Sequence, residues 1–132
     1  MEAPADTGEL VFESGLPGFA DAHRFTLVRW GDEDSPFSLM RSLDHDGLEF
    51  VVVPPMVFFP EYEPELDDTT AARLELDRAD DAIVLVMVTL GDRAADATAN
   101  LLGPIVVNRH TNRAAQAVLA NSAYELRTPL VG

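Results

Sequence analysis

Residues 51–66 read VVVPPMVFFPEYEPEL, and the four prolines among them, Pro54, Pro55, Pro60 and Pro64, restrict what this chain can be. Proline has no amide donor and fixes its own backbone torsion, so four in sixteen residues exclude a continuous helix and a central strand. What remains is an extended, exposed segment at a sheet edge. The apolar run resumes as Met56-Val57-Phe58-Phe59 and passes directly into Glu61, Glu63 and Glu65, spaced by two. In an extended chain those three carboxylates project from one side. Aromatic rings feeding into negative charge read as a surface for a protein partner, with no catalytic apparatus beside it.

Working outward, short apolar runs alternate with turn chemistry. Residues 9–13 (ELVFE) suit a first strand, and SGLPGF at 14–19 brings Gly15, Pro17 and Gly18, which is a turn. In HRFTLVRW (23–30) a period of two places Phe25 and Leu27 opposite Thr26, Val28 and Trp30, which predicts a strand. GDEDSP (31–36) is a polar turn, and residues 37–43 alternate again. DHDG (44–47) closes a hairpin into residues 48–53, whose continuous apolar run predicts burial on both faces. Past the acidic segment, Asp67 or Asp68 can cap a short helix with Ala71 and Leu74 inward. Residues 82–90 (AIVLVMVTL) are the most apolar stretch and predict a central strand. Residues 97–102 and 105–108 read as strand, kink at Gly103-Pro104, strand, and 114–119 as a further strand. The pattern predicts an all-β fold: a small antiparallel barrel-like domain or sandwich with one short inserted helix. One domain spans residues 1–132, with residues 125–132 frayed or laid on the surface.

Composition narrows the function classes. Twenty-three acids stand against 9 bases, every one an arginine, for a formal net charge of −14. That field repels nucleic-acid phosphates and anionic lipid, steers a basic partner protein inward, and favours a monomer through self-repulsion. Cysteine is absent, which removes disulfides, thiol nucleophiles and thiolate metal sites together. The acidic start MEAPADTGEL lacks the apolar core of a secretory signal, and the longest apolar run, residues 82–88, is far shorter than the ~20 residues of a membrane span. A cytoplasmic protein is the expectation.

Catalysis finds little support. The histidines are His23, His45 and His110; the serines Ser14, Ser35, Ser38, Ser42 and Ser122 sit in no nucleophile-elbow context. Calcium is the alternative function, since Glu61, Glu63, Glu65, Asp67 and Asp68 supply hard oxygen ligands, although the glycine of an EF-hand loop is missing. Inert edge, partner surface and cation site all remain compatible with these carboxylates. Phe58 and Phe59 should face opposite sides, one in the core, while the other joins Tyr62 as an exposed interface anchor. Asn100, polar within an apolar run, either bonds backbone in a bulge or is presented to a partner.

Four separated runs, GLPGF (15–19), FVVV (50–53), FFPEYEPEL (58–66) and TANLLGPIVVN (98–108), resemble in order and spacing the flagellar assembly factor FliW family. The resemblance spans about residues 9–118. Where the family tends to have Asp-Pro this chain has Pro54-Pro55, and Gly103 stands where alanine is frequent. The resemblance implies a small β-barrel-like domain with no enzymatic activity, no cofactor and two protein partners. One is flagellin, bound before export. The other is CsrA, a basic RNA-binding dimer that represses flagellin translation and that FliW antagonises once flagellin has left. Glu61, Tyr62, Glu63 and Glu65 are the candidate partner-binding residues, joined by Phe59 and Asn100.

Overall fold

The structure, a computed structural model, describes residues 9–119 and 123–130. The acidic start (residues 1–8), Ser122 and the last two residues lie outside them. Antiparallel strands β1 (Leu10–Val11), β2 (Arg24–Arg29), β3 (Ser38–Ser42), β4 (Glu49–Val53) and β5 (Ala82–Thr89) pair successively. A six-residue helix, α1 (Asp68–Arg73), lies in the connection from β4 to β5. Then come β6 (Thr98–Ala99), β7 (Ile105–Asn108), β8 (Ala114–Gln116) and β9 (Thr128–Pro129).

Two ribbons share the far edge of β5. Its first half pairs with β7, which pairs with β8, and its last two residues pair with β6, which pairs with β9. From Val88↔Ala99 to Leu85↔Ile105, β5 moves three residues while its partner moves six. The surplus is the bend around Asn100–Pro104, so the predicted strand, kink, strand is present, with a first strand shorter than expected. A parallel bridge between Val11 and Arg113, with the Val11 amide donating to the Asn112 carbonyl at 2.9 Å, returns β8 to β1. The ring β1-β2-β3-β4-β5-β7-β8 is thereby a closed barrel, of the two architectures the sequence allowed.

Strand alternation sorts the apolar residues into an interior and a coat. Phe25 and Leu27 on β2, Met40 on β3, Val52 on β4 and Leu85 on β5 point into the barrel with Phe12, Ile105 and Val107. Phe12 meets Phe25 edge-on at 5.2 Å. Leu16, from GLPGF, plugs the same interior. Gly15 sits there at φ +69°, and a Cβ on it would lie 2.4 Å from the Ala20 carbonyl oxygen, so only glycine fits. Val51 and Val53, with Val84, Val86 and Val88, face outward and are covered in turn. The double-sided burial expected of residues 48–53 is met over residues 50–53, while Glu49 is exposed and pairs with Arg41.

The expected sheet edge is not where the prolines suggested. Glu49–Val53 is paired on both sides, to β3 and β5. The prolines follow the last ladder residue instead of interrupting it. Pro54 ends the strand, and Pro55–Val57 form one 3-10 turn that swings the chain out of the sheet and across its outer face. Asp67 then caps α1, its carboxylate accepting from the Thr70 amide at 2.7 Å. Leu74 is buried and Ala71 half-buried, as the capped-helix reading required. Leu74 packs on Val106 and Ala117 over the outside of β7 and β8.

Of the tail read as frayed or surface-laid, residues 125–130 are described. Thr128–Pro129 form β9, and the Leu130 amide donates to Ala97. Leu130 also packs into the outer coat.

Candidate functional site

The coat over β4 and β5 is built by the segment that was expected to be an exposed edge. Phe58 and Phe59 are both half-buried, their ring centroids 6.5 Å apart, and both pack on the outer cluster. The expected split to opposite faces fails because the backbone there is turned, not extended. Tyr62 is buried, not an exposed anchor: its ring meets Tyr124 edge-on at 4.7 Å, and its hydroxyl donates to the Leu101 carbonyl at 2.6 Å. The Tyr124 hydroxyl in turn accepts from the Glu63 amide at 3.1 Å. Burial pushes the Tyr62 phenol well above its ordinary value, with Tyr124 adding to the shift.

Between these rings lies an open hollow of about 460 Å³ lined by Phe58, Phe59, Pro60, Glu61, Tyr62, Leu101 and Tyr124. Glu61, Glu63 and Glu65 are exposed, alternating with the buried Tyr62 and the half-buried Pro64. The structure thus brings Phe59, Glu61 and Tyr62 together on one hollow and leaves Glu65 at a neighbouring groove with Asp67 and Thr70. Asn100 takes the structural of its two readings. Its side-chain oxygen accepts from the amides of Leu102 (3.1 Å) and Gly103 (2.8 Å), holding the bend before β7.

Leu101 and Tyr124 were not anticipated as lining residues. Tyr62 and Leu101 are 39 residues apart, and no local pattern links them. Asn108 is a further residue that the sequence patterns do not single out. It is 3% exposed, donates to the Leu74 carbonyl at 2.7 Å, accepts from the His110 amide at 2.8 Å, and so ties α1 to the β7–β8 hairpin. A lone polar residue ending an apolar run was the available signal.

The histidines are held by other partners than serine. His23 Nδ1 lies 2.9 Å from the Phe12 carbonyl, His45 pairs with Asp21 at 2.8 Å, and His110 pairs with Asp81 at 2.9 Å. Among the described residues no group of three or more histidine, aspartate or glutamate side chains is placed to hold a metal ion. The calcium reading of Glu61, Glu63 and Glu65 therefore lacks a gathered ligand set. No helix among the described residues is long and apolar enough to cross a membrane.

Fold and site together define a small antiparallel β-barrel with one helix, whose accessible chemistry at the hollow is aromatic rings and the Glu61 carboxylate. The family model described as "FliW protein" matches residues 3–130. The flagellar assembly factor FliW of Bacillus subtilis is 41% identical over 123 residues, covering 93% of this chain and 85% of its own. That of Thermoanaerobacter pseudethanolicus is 34% identical, covering 92% and 81%. A crystal structure of the flagellar assembly factor FliW superposes with a TM-score of 0.89 at 33% identity, over 100% of this chain and 91% of that one. The chain belongs to the FliW family.

Proposed function

We propose that this protein is a non-enzymatic regulator of flagellar assembly that exchanges two protein partners, flagellin and CsrA. Family membership supports the flagellar role. The observation that carries partner binding is the exposed row Glu61, Glu63 and Glu65 beside a ring-lined hollow, on a chain of net charge −14. Carboxylates at the rim steer a basic surface inward, and the half-buried rings supply apolar contact once water is excluded. While flagellin occupies the protein, CsrA is free to repress flagellin translation. When flagellin is exported, the protein binds CsrA and lifts the repression. Such a switch requires that one partner weaken the other, through overlapping surfaces or coupling. In this reading it acts in the cytoplasm as a monomer and touches no RNA. Phe59, Glu61, Glu63 and Glu65 make the contacts, and Tyr62 and Asn100 hold the segment and the adjoining bend in place.

Calorimetric titration with CsrA, repeated after saturation with flagellin, tests the exchange: heat in the first titration should vanish in the second. The E61K/E63K double variant should associate with CsrA about tenfold or more slowly at low salt, with a shallower salt dependence. Unchanged rate and salt slope would remove the acidic row from the interface.

A further inference from the structure

We propose that the outer face of β2 and β3, centred on Trp30, is a second docking surface and that it takes an amphipathic α-helix of a partner protein flanked by lysine or arginine. Alternation along β2 turns Val28 and Trp30 out of the barrel, and they are 44% and 39% exposed. Leu39 lies opposite Val28 in the ladder, and the Trp30 amide donates to the Phe37 carbonyl at 2.9 Å. From Trp30 the rings run without a gap. Trp30 meets Phe37 edge-on at 6.2 Å, and Phe37 meets Phe58 at 5.8 Å. Beyond Phe58, Met56 stands 65% exposed on the 3-10 turn. Single exposed apolar residues are ordinary, but a continuous apolar row containing tryptophan is the composition of an interface centre.

Two observations choose the occupant. β3 is hydrogen-bonded on both sides and β2 pairs beyond β3 only at Arg24 and Phe25, so an added strand would take the open edge of β2 past Phe25, whereas the apolar row stands on the sheet face and offers side chains, which suits a helix. The rim is acidic: Asp32, Glu33 and Asp34 are exposed in the turn after Trp30, held back against it by the Ser35 hydroxyl donating to the Trp30 carbonyl at 2.6 Å. At the other end this face adjoins the first site, where exposed Glu61 lines the hollow with Phe58 and Phe59. Arg41 on this face is neutralised by Glu49 at 2.9 Å, and alternation sends Arg29 to the opposite face. A second copy of the chain would bring one −14 charge against another.

Trp30 is the only tryptophan, so its emission reports this face alone. The probe is a synthetic leucine/lysine helix of about five turns with one leucine face. Its controls are a scrambled peptide of the same composition and a leucine/glutamate helix of the same pattern. The leucine/lysine helix should shift Trp30 emission to shorter wavelength and protect it from acrylamide, whereas neither control should. V28D and M56D, at exposed positions and checked for retained circular dichroism, should each weaken that binding about tenfold. No shift, or an equal shift from the scrambled peptide or the glutamate helix, overturns the proposal. So does the same shift from phosphatidylcholine vesicles, which would make the face a lipid surface. Sedimentation of the free protein as a dimer with Trp30 protected would overturn it in favour of a second copy.

Discussion

Replacing Tyr62 by phenylalanine removes one oxygen and leaves the Leu101 carbonyl without its donor. An unpaired buried acceptor costs about 1–3 kcal/mol, so urea unfolding should show Y62F weaker by that much. The same phenol makes stability depend on alkaline pH. Its folded-state pKa is raised above the ordinary 10.0, so its contribution is fully present below that value and is lost as pH rises. Unfolding free energy of the native chain should fall above about pH 10, and that of Y62F should fall less steeply. Asp44 acts with the opposite sign. Its carboxylate accepts from the amides of Arg24 and His23, each at 2.8 Å, and then from the Arg24 guanidinium, which together hold its pKa below 3.8. That contribution is present above the unfolded value and disappears as pH falls through the folded one. D44N should therefore flatten the acid limb of the stability curve below about pH 4, as read by denaturant midpoints in an acid series.

Two glycines in the connecting elements respond differently to a methyl group. In the turn from β1 to β2, Gly15 combines a positive φ with backbone 2.4 Å from the added carbon, which nothing can relieve, so G15A should unfold at clearly lower urea concentration. At Gly103 the added carbon would meet the end of the Gln116 side chain at 2.8 Å, which can swing aside, and the Asn100 amide nitrogen at 3.2 Å, which needs only a slight shift that keeps its own bonds. G103A should lose at most the Gln116 bond to the Gly103 carbonyl, about 1 kcal/mol. The elements themselves differ in how legible they were. β2, β3, β4 and β5 announce themselves because each alternates, or is apolar but for one terminal residue, over five to eight residues. β6 and β9 hold two residues each, too few for any period, and only their pairing on β5 makes them strands. The site was half legible. The charges of Glu61, Glu63 and Glu65 were read correctly as exposed. Tyr62 was misplaced because its burial depends on Leu101 and Tyr124, residues remote in the chain. Residues 51–66 do not form the edge that their prolines suggest, because proline content says that a strand stops, not on which side of the sheet the chain continues.

Across the whole molecule the dominant long-range force is self-repulsion. With 23 acids against 9 bases, screening should stabilise the fold, and the thermal midpoint should rise as sodium chloride goes from about 0.01 M to 0.15 M, where the Debye length drops from about 30 to 8 Å. A midpoint that fell instead would show that exposed ion pairs such as Arg113 with Glu13 and Glu75 outweigh the repulsion. The barrel also has a temporal side, set by β5. That one strand holds β4, β6 and β7, yet it is made after the four-stranded meander that needs it. Until residues 54–89 have left the ribosome, β4 hangs with Phe50–Val53 along an open, uncharged edge, the template on which chains cross-pair. At about 5–20 residues per second that exposure lasts about 2–7 s in every round of synthesis. A nascent chain of this protein is therefore most vulnerable to its neighbours on the polysome during the making of one loop, one short helix and one strand.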